Sequence, residues 1–150
     1  MSGPPRWAKK ALGAVTGISL LLLLIQYLLG LWTADYAPAA FTNDTSFPSL
    51  DWHYNVGFAL GIVSILIVIL AALTRQARLI APSVVLFIAI LVAGVLGMRY
   101  VNTTPNDPLA SFGMGVMFLV AFGSAMSIVT QLRPRLGWAP MAGDSGAPTF

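Results

Sequence analysis

The residues able to do chemistry are few, and most crowd one short stretch. Residues 51–57 hold the chain's only histidine, His53, with Asp51, Trp52, Tyr54, Asn55 and Gly57 around it. Imidazole titrates near neutral pH and ligates metals or haem iron, so His53 is the candidate metal or cofactor ligand. The plainer alternative is an interfacial histidine that opens a helix between two amphipathic aromatics. Gln26 is an amide within an apolar run and needs a hydrogen-bond partner. It either supports a cofactor or ties two helices together. Arg99 could grip a carboxylate or an anionic lipid headgroup, or it could pair with Asp107 and neutralise both near the membrane edge. Asp51, Asn55, Tyr100 and Asp107 complete a candidate polar cluster. Met98, Met114 and Met117 are soft ligands in principle, but methionine more often fills irregular gaps.

The chain holds no phosphate-binding glycine loop, no H-E-x-x-H and no G-x-S-x-G. It also has no cysteine, which excludes disulfides and thiolate metal sites. No catalytic residue is assigned, and the pattern leans away from an enzyme.

The elements that must position these groups are set by composition. Of 150 residues, 57% are hydrophobic and 9% are charged, with a formal net charge of +3. Soluble domains carry about 25% charged residues. The basic residues flank apolar runs, which is a membrane-topology signal, so nucleic acid is not the expected partner. Four runs stand out, at 11–32, 53–73, 79–98 and 108–131. Each is about 20–24 residues, or about 30–36 Å of helix, which matches a hydrocarbon core of about 30 Å. The first run exceeds the roughly 7–15 residues of a signal-peptide core, so it is expected to be retained. Membrane strands would be about 10 residues long and alternating, and these runs are neither. The expectation is an all-α, four-helix up-down transmembrane bundle over residues 11–132. A basic segment, 1–10, precedes it, a polar loop at 34–52 joins the first two helices, and a flexible tail follows from 133.

Seven of the eight Lys and Arg fall in residues 6–10, 75–78 and 133–135. With four spans these regions share one side, and the positive-inside rule places both termini in the cytoplasm of a multi-pass cell-membrane protein. His53, Asn55, Arg99, Tyr100, Asp107 and Asp51 then gather at the outer side, with Gln26 slightly deeper. Small and polar residues mark the expected inward faces. These are Thr16, Ser19, Leu23, Gln26 and Gly30 on helix one, and His53, Gly57, Gly61, Ser64, Val68 and Ala72 on helix two. Helix three offers Ala89, Ala93 and Gly97. Helix four offers Ala110, Gly113, Met117, Ala121 and Ser124, with Ser111 and Gly115 beside them.

One arrangement of motifs is familiar. Gln26 and Gly30 close helix one, His53 and Gly57 open helix two, Gly94 and Gly97 lie late in helix three, and Asp107-Pro108-Leu109 opens helix four. Over residues 15–130 this resembles the four-helix half-unit of haem A synthase and small uncharacterised four-helix membrane proteins of similar layout. It is more loosely similar to b-type cytochrome bundles. The resemblance implies haem b as the candidate cofactor, held by one histidine opening helix two and another opening helix four. Only His53 matches, because Asp107 stands near the second position. Two axial histidines from one chain are therefore excluded, and a haem would need a single histidine, a methionine, or a partner subunit's histidine.

Three functions follow as expectations. The first is a non-catalytic accessory or structural subunit, packing on other membrane subunits or on itself through small-residue helix faces. The second is a haem- or quinone-associated redox protein using His53, Gln26 and Arg99. The third is a transporter component, disfavoured because no carboxylate lies at mid-membrane depth. The topology has a direct check. A reporter active only outside the cytoplasm should be silent when fused to the C-terminus, and activity there would reverse the orientation.

Overall fold

The computed structural model describes residues 5–40, 48–102 and 107–133. They form four helices: α1 (Arg6–Ala40), α2 (Pro48–Thr74), α3 (Ala77–Asn102) and α4 (Pro108–Leu132). No strand occurs among the described residues. In lipid a segment must satisfy its own backbone donors and acceptors, and only a helix does so within one run. The apolar spans are Arg6–Trp32, Asp51–Thr74, Ala77–Tyr100 and Pro108–Leu132.

Three of the helices outrun the sequence expectation. α1 continues to Ala40 rather than ending at 32, and α2 begins at Pro48 rather than 53. The expected loop at 34–52 thus shrinks from both flanks, leaving only 41–47 between the helices. Hydropathy marks where a span ends, whereas an established helix propagates at little cost into polar sequence. Pro48 suits a first helical position, where its missing N–H is no loss. α3 begins at Ala77, so Pro82 lies inside the helix and not in its first turn. There it removes the donor for the carbonyl of Arg78. α1 also begins at Arg6 rather than 11, so the expected basic segment at 1–10 is helical from residue 6; its residues 1–4 and the tail beyond Arg133 lie outside the described residues.

The helix ends are chemically defined. Asp107 caps α4, its Oδ1 accepting from the backbone N–H of Leu109 at 2.9 Å and of Ala110 at 3.3 Å. Pro108 follows in the first turn, as the sequence implies. Between α2 and α3 only Arg75 and Gln76 intervene. Arg75 adopts φ 55°, and its N–H donates to the carbonyl of Ala72 at 2.9 Å. The Gln76 carbonyl accepts from Leu79 and Ile80, which starts α3.

α1 packs on α2 and α4, and α3 packs on α2 and α4, with no diagonal contact among the described residues. This is the up-down bundle expected. Lys9, Gln76, Arg78 and Arg133 line one pocket, so the start of α1, the α2–α3 turn and the end of α4 share a basic end. His53 and Asp107 lie toward the opposite end. Only 17–28% of each span is buried, while Leu21, Phe58 and Leu119 are 59–68% exposed. Such an apolar exterior identifies a small integral membrane protein whose outer surface contacts lipid.

The interior is built from small and hydroxyl side chains as much as from large ones. Thr16, Ser19, Ser64, Thr74 and Ser83 are fully buried beside Leu12, Ile67, Leu79, Leu86 and Ile128. Thr16, Ser64, Thr74 and Ser83 donate to carbonyls three or four residues back, at 2.6–2.7 Å. That is how a hydroxyl survives inside an apolar bundle. The expected inward residues Thr16, Ser19, Leu23, Ser64, Ala89, Ala110 and Ala121 are all buried. On α2 the inward line instead runs through Leu60, Ser64, Ile67 and Ala71. Ala72 is exposed, and a Cβ on Gly61 would meet nothing. The sequence favoured small residues there, but van der Waals packing is also met by Leu and Ile.

Burial is uneven along the bundle. Among the residues whose burial is described, it runs to Leu23 on α1, begins at Leu60 on α2 and ends at Ala89 on α3, and on α4 only Ala110 precedes Ala121. The basic half is tightly closed, and the other half depends on specific contacts. One is Gly113, where a Cβ would fall 2.7 Å from Leu96 Cδ1. Gly61→Ala should gain up to about 1 kcal/mol from helix propensity. Gly113→Ala should lose part of that gain, because the end of the Leu96 side chain must turn aside to admit the methyl. Adding Leu96→Val should recover most of the loss, and thermal unfolding in detergent measures all three.

Candidate functional site

The single histidine meets the single amide of α1. Gln26 Nε2 and His53 Nε2 lie 3.1 Å apart across the α1–α2 interface. With the amide oriented this way, its N–H donates to the ring, so the imidazole is neutral with its proton on Nδ1. Turning the amide over would make the ring the donor and Oε1 the acceptor. In either orientation each side chain keeps one buried polar atom without a described partner. As oriented here, these are Gln26 Oε1 and His53 Nδ1.

Two glycines make this approach possible. A Cβ on Gly57 would sit 3.2 Å from Gln26 Nε2, and one on Gly30 would sit 3.4 Å from His53 Cε1. The arrangement is reciprocal. Gly30 lies four residues beyond Gln26, and Gly57 lies four beyond His53, so each polar side chain lies over the other helix's glycine. In a helix, residues four apart share a face, and lipid-embedded helices use glycine where they must come close. The sequence motifs Gln26/Gly30 and His53/Gly57 are thus two halves of one contact.

The second pair joins α3 to α4. Arg99 Nε lies 3.5 Å from Asp107 Oδ2, with Arg99 57% and Asp107 14% exposed. One carboxylate therefore caps α4 with Oδ1 and pairs with Arg99 through Oδ2. Such exposed ion pairs contribute about 0–1 kcal/mol, so the cap is the larger role.

The expected convergence of all the polar residues is only partly realised. Gln26 joins His53, and Arg99 joins Asp107, while Asp51 and Asn55 are exposed and Tyr100 is half-buried. Helix geometry explains this, because two residues along a helix is a rotation of about 200°. Asp51 and Asn55 must then face away from His53. Trp52 and Tyr54 are 63% and 69% exposed, as fits rings at headgroup level.

An aromatic contact went unread in the sequence. Tyr27 stacks on Phe118 with ring centroids 4.9 Å apart, and Phe118 stacks on Phe122 at 6.0 Å. It holds α1 to α4 beside Gln26. The four-residue spacing of Phe118 and Phe122 was the available signal. Met114 Sδ lies 3.5 Å from where a Cβ on Gly97 would be, so it fills a notch in α3. Met98 is 56% exposed.

The residues present do not fit a haem. His53 Nε2 is engaged by Gln26, and Nδ1 would lie 3.8 Å from a Cβ on Gly30, which leaves no approach for iron without moving α1. No second histidine exists in the chain. Among the described residues no three His, Asp or Glu side chains gather as a metal site.

The Gln26–His53 contact should be measurable as a coupling. In a double-mutant cycle of Gln26→Ala and His53→Ala, the interaction should be about 0.6–1.7 kcal/mol, the range for interhelical hydrogen bonds in membranes. Gly57→Leu should remove the coupling by pushing the amide aside, and an unchanged coupling would contradict the contact. The role of this pair rests on the chain's own geometry, because comparison with protein-family models, curated proteins and solved structures finds no match.

Proposed function

We propose that this chain is a non-catalytic accessory subunit, one that packs its outer helix faces against other membrane helices. The reading is carried by the glycines of α3 and α4 that serve no contact within the bundle. A Cβ on Gly94, Gly115 or Gly123 would meet nothing, and all three positions are exposed. Glycine costs about 1 kcal/mol relative to alanine in a helix. On a lipid-facing surface that cost is offset when a neighbouring helix approaches closely. Ser111 lies exposed one turn before Gly115, which adds a polar group to the same face. His53 supports the reading from the other side, since its contact with Gln26 is a clasp between helices. The proposed topology places both termini in the cytoplasm.

A second reading is a quinone-associated redox protein. Its support is the two unpartnered polar atoms at the Gln26–His53 contact, of which the ring N–H could donate to a quinone carbonyl only where α1 gives way at Gly30. Haem finds poorer support, for the reasons of ligand geometry given above. The kinship with the haem A synthase half-unit is proposed for helix layout alone.

The two readings separate in one preparation. Purified in mild detergent, the protein should migrate as an assembly of more than one chain. Gly115→Leu with Gly123→Leu should reduce it to a single folded chain. Quinone titration should leave the wild type unaffected. A single chain in native membranes by cross-linking would sink the first reading, and quinone binding lost in His53→Leu would establish the second.

A further inference from the structure

At the basic end, the start of α1, the α2–α3 turn and the end of α4 surround a concave pocket of about 490 Å³. Ligand pockets span about 300–1,000 Å³. Lys9 enters it from α1, Gln76 from the turn, Arg78 from α3, and Gln131 and Arg133 from α4. Three positive charges from three helices thus face one cavity.

No described carboxylate answers them. Lys9, Arg78 and Arg133 form no salt bridge with a described residue. Asp35, Asp51 and Asp107 lie at the opposite end, as the helix order requires, and Asp44 and Asp144 fall outside the described residues. Arg78 is steadied by Gln76, whose Oε1 accepts from Nε at 3.4 Å and from Nη2 at 3.3 Å. The guanidinium keeps its remaining N–H groups for an anion, and this planar fork suits two oxygens of one phosphate.

We propose that this pocket binds a phosphate-bearing anion, and that the phosphodiester of an anionic phospholipid is the form it takes. The lipid is favoured by the pocket's position. Leu132 lines the pocket beside the cations, and Trp7, on the same end of α1, is 59% exposed, as fits a ring at headgroup level. A headgroup here gains the charges while its chains lie along the apolar helix surfaces. A free phosphate gains the charges alone.

The full chain in detergent is tested by native mass spectrometry with phosphatidylglycerol, with phosphatidylcholine and with inorganic phosphate. Phosphatidylglycerol should be retained over phosphatidylcholine. Each of Lys9→Gln, Arg78→Gln and Arg133→Gln should weaken it about fivefold, the effect of one basic residue near an anionic surface. Lys10→Gln, on the same end but not lining the pocket, should leave binding unchanged. Circular dichroism confirms that each variant keeps its helices, and Arg78→Lys should lose less than Arg78→Gln. Inorganic phosphate that binds with the same variant sensitivity, without a preference for phosphatidylglycerol, would keep the anion site and overturn the lipid. Equal retention of both lipids without phosphate binding would overturn the proposal. So would an equal loss in Lys10→Gln.

Discussion

Every peptide group in the hydrocarbon must find its partner inside the protein, and the rest of this structure depends on that constraint. It makes each apolar run a helix and turns attention to the few places where the ladder breaks. At the start of α4 the orphan N–H groups of Leu109 and Ala110 are taken by the Asp107 carboxylate. Within α3, Pro82 strips a donor from the carbonyl of Arg78, close to the membrane edge. The buried hydroxyls are absorbed by the same economy, since four of the five close onto carbonyls of their own helix.

With the backbone satisfied, helix association in lipid depends on close approach and polar contact rather than on hiding apolar surface from water. The chain divides this work along its length. The basic half interlocks through buried residues on all four helices. The opposite half relies on particular meetings: amide and imidazole over paired glycines, Leu96 over Gly113, Met114 over Gly97 and Tyr27 on Phe118. The only histidine therefore lies where packing is sparse and one contact carries more of the α1–α2 interface.

Much of this was legible in the sequence. The four spans follow from hydropathy and length, and the cap at Asp107-Pro108, the Arg99–Asp107 pair and the Gln26 tie follow from residue chemistry. Helix ends beyond the membrane were not legible, because hydropathy is silent where a helix leaves lipid, as α1 does past Trp32. The inward line of α2 was misread in part, since Leu60 and Ile67 look like lipid-facing residues until a neighbour covers them. The candidate site was legible as residues but not as geometry. Two-residue spacing set Asp51 and Asn55 away from His53, and the reciprocal role of Gly30 and Gly57 needed two helices in place.

The link of Arg75 and Gln76 has a consequence for how copies of this chain can share their parts. From Thr74 to Ala77 there are three Cα steps, at most about 11 Å when fully extended. Packed helices lie about 8–10 Å apart. The link can thus reach an adjacent antiparallel helix and nothing farther. While Arg75 keeps its left-handed φ of 55°, α2 and α3 are bound to travel as one antiparallel hairpin, and a copy that gave up one would give up both.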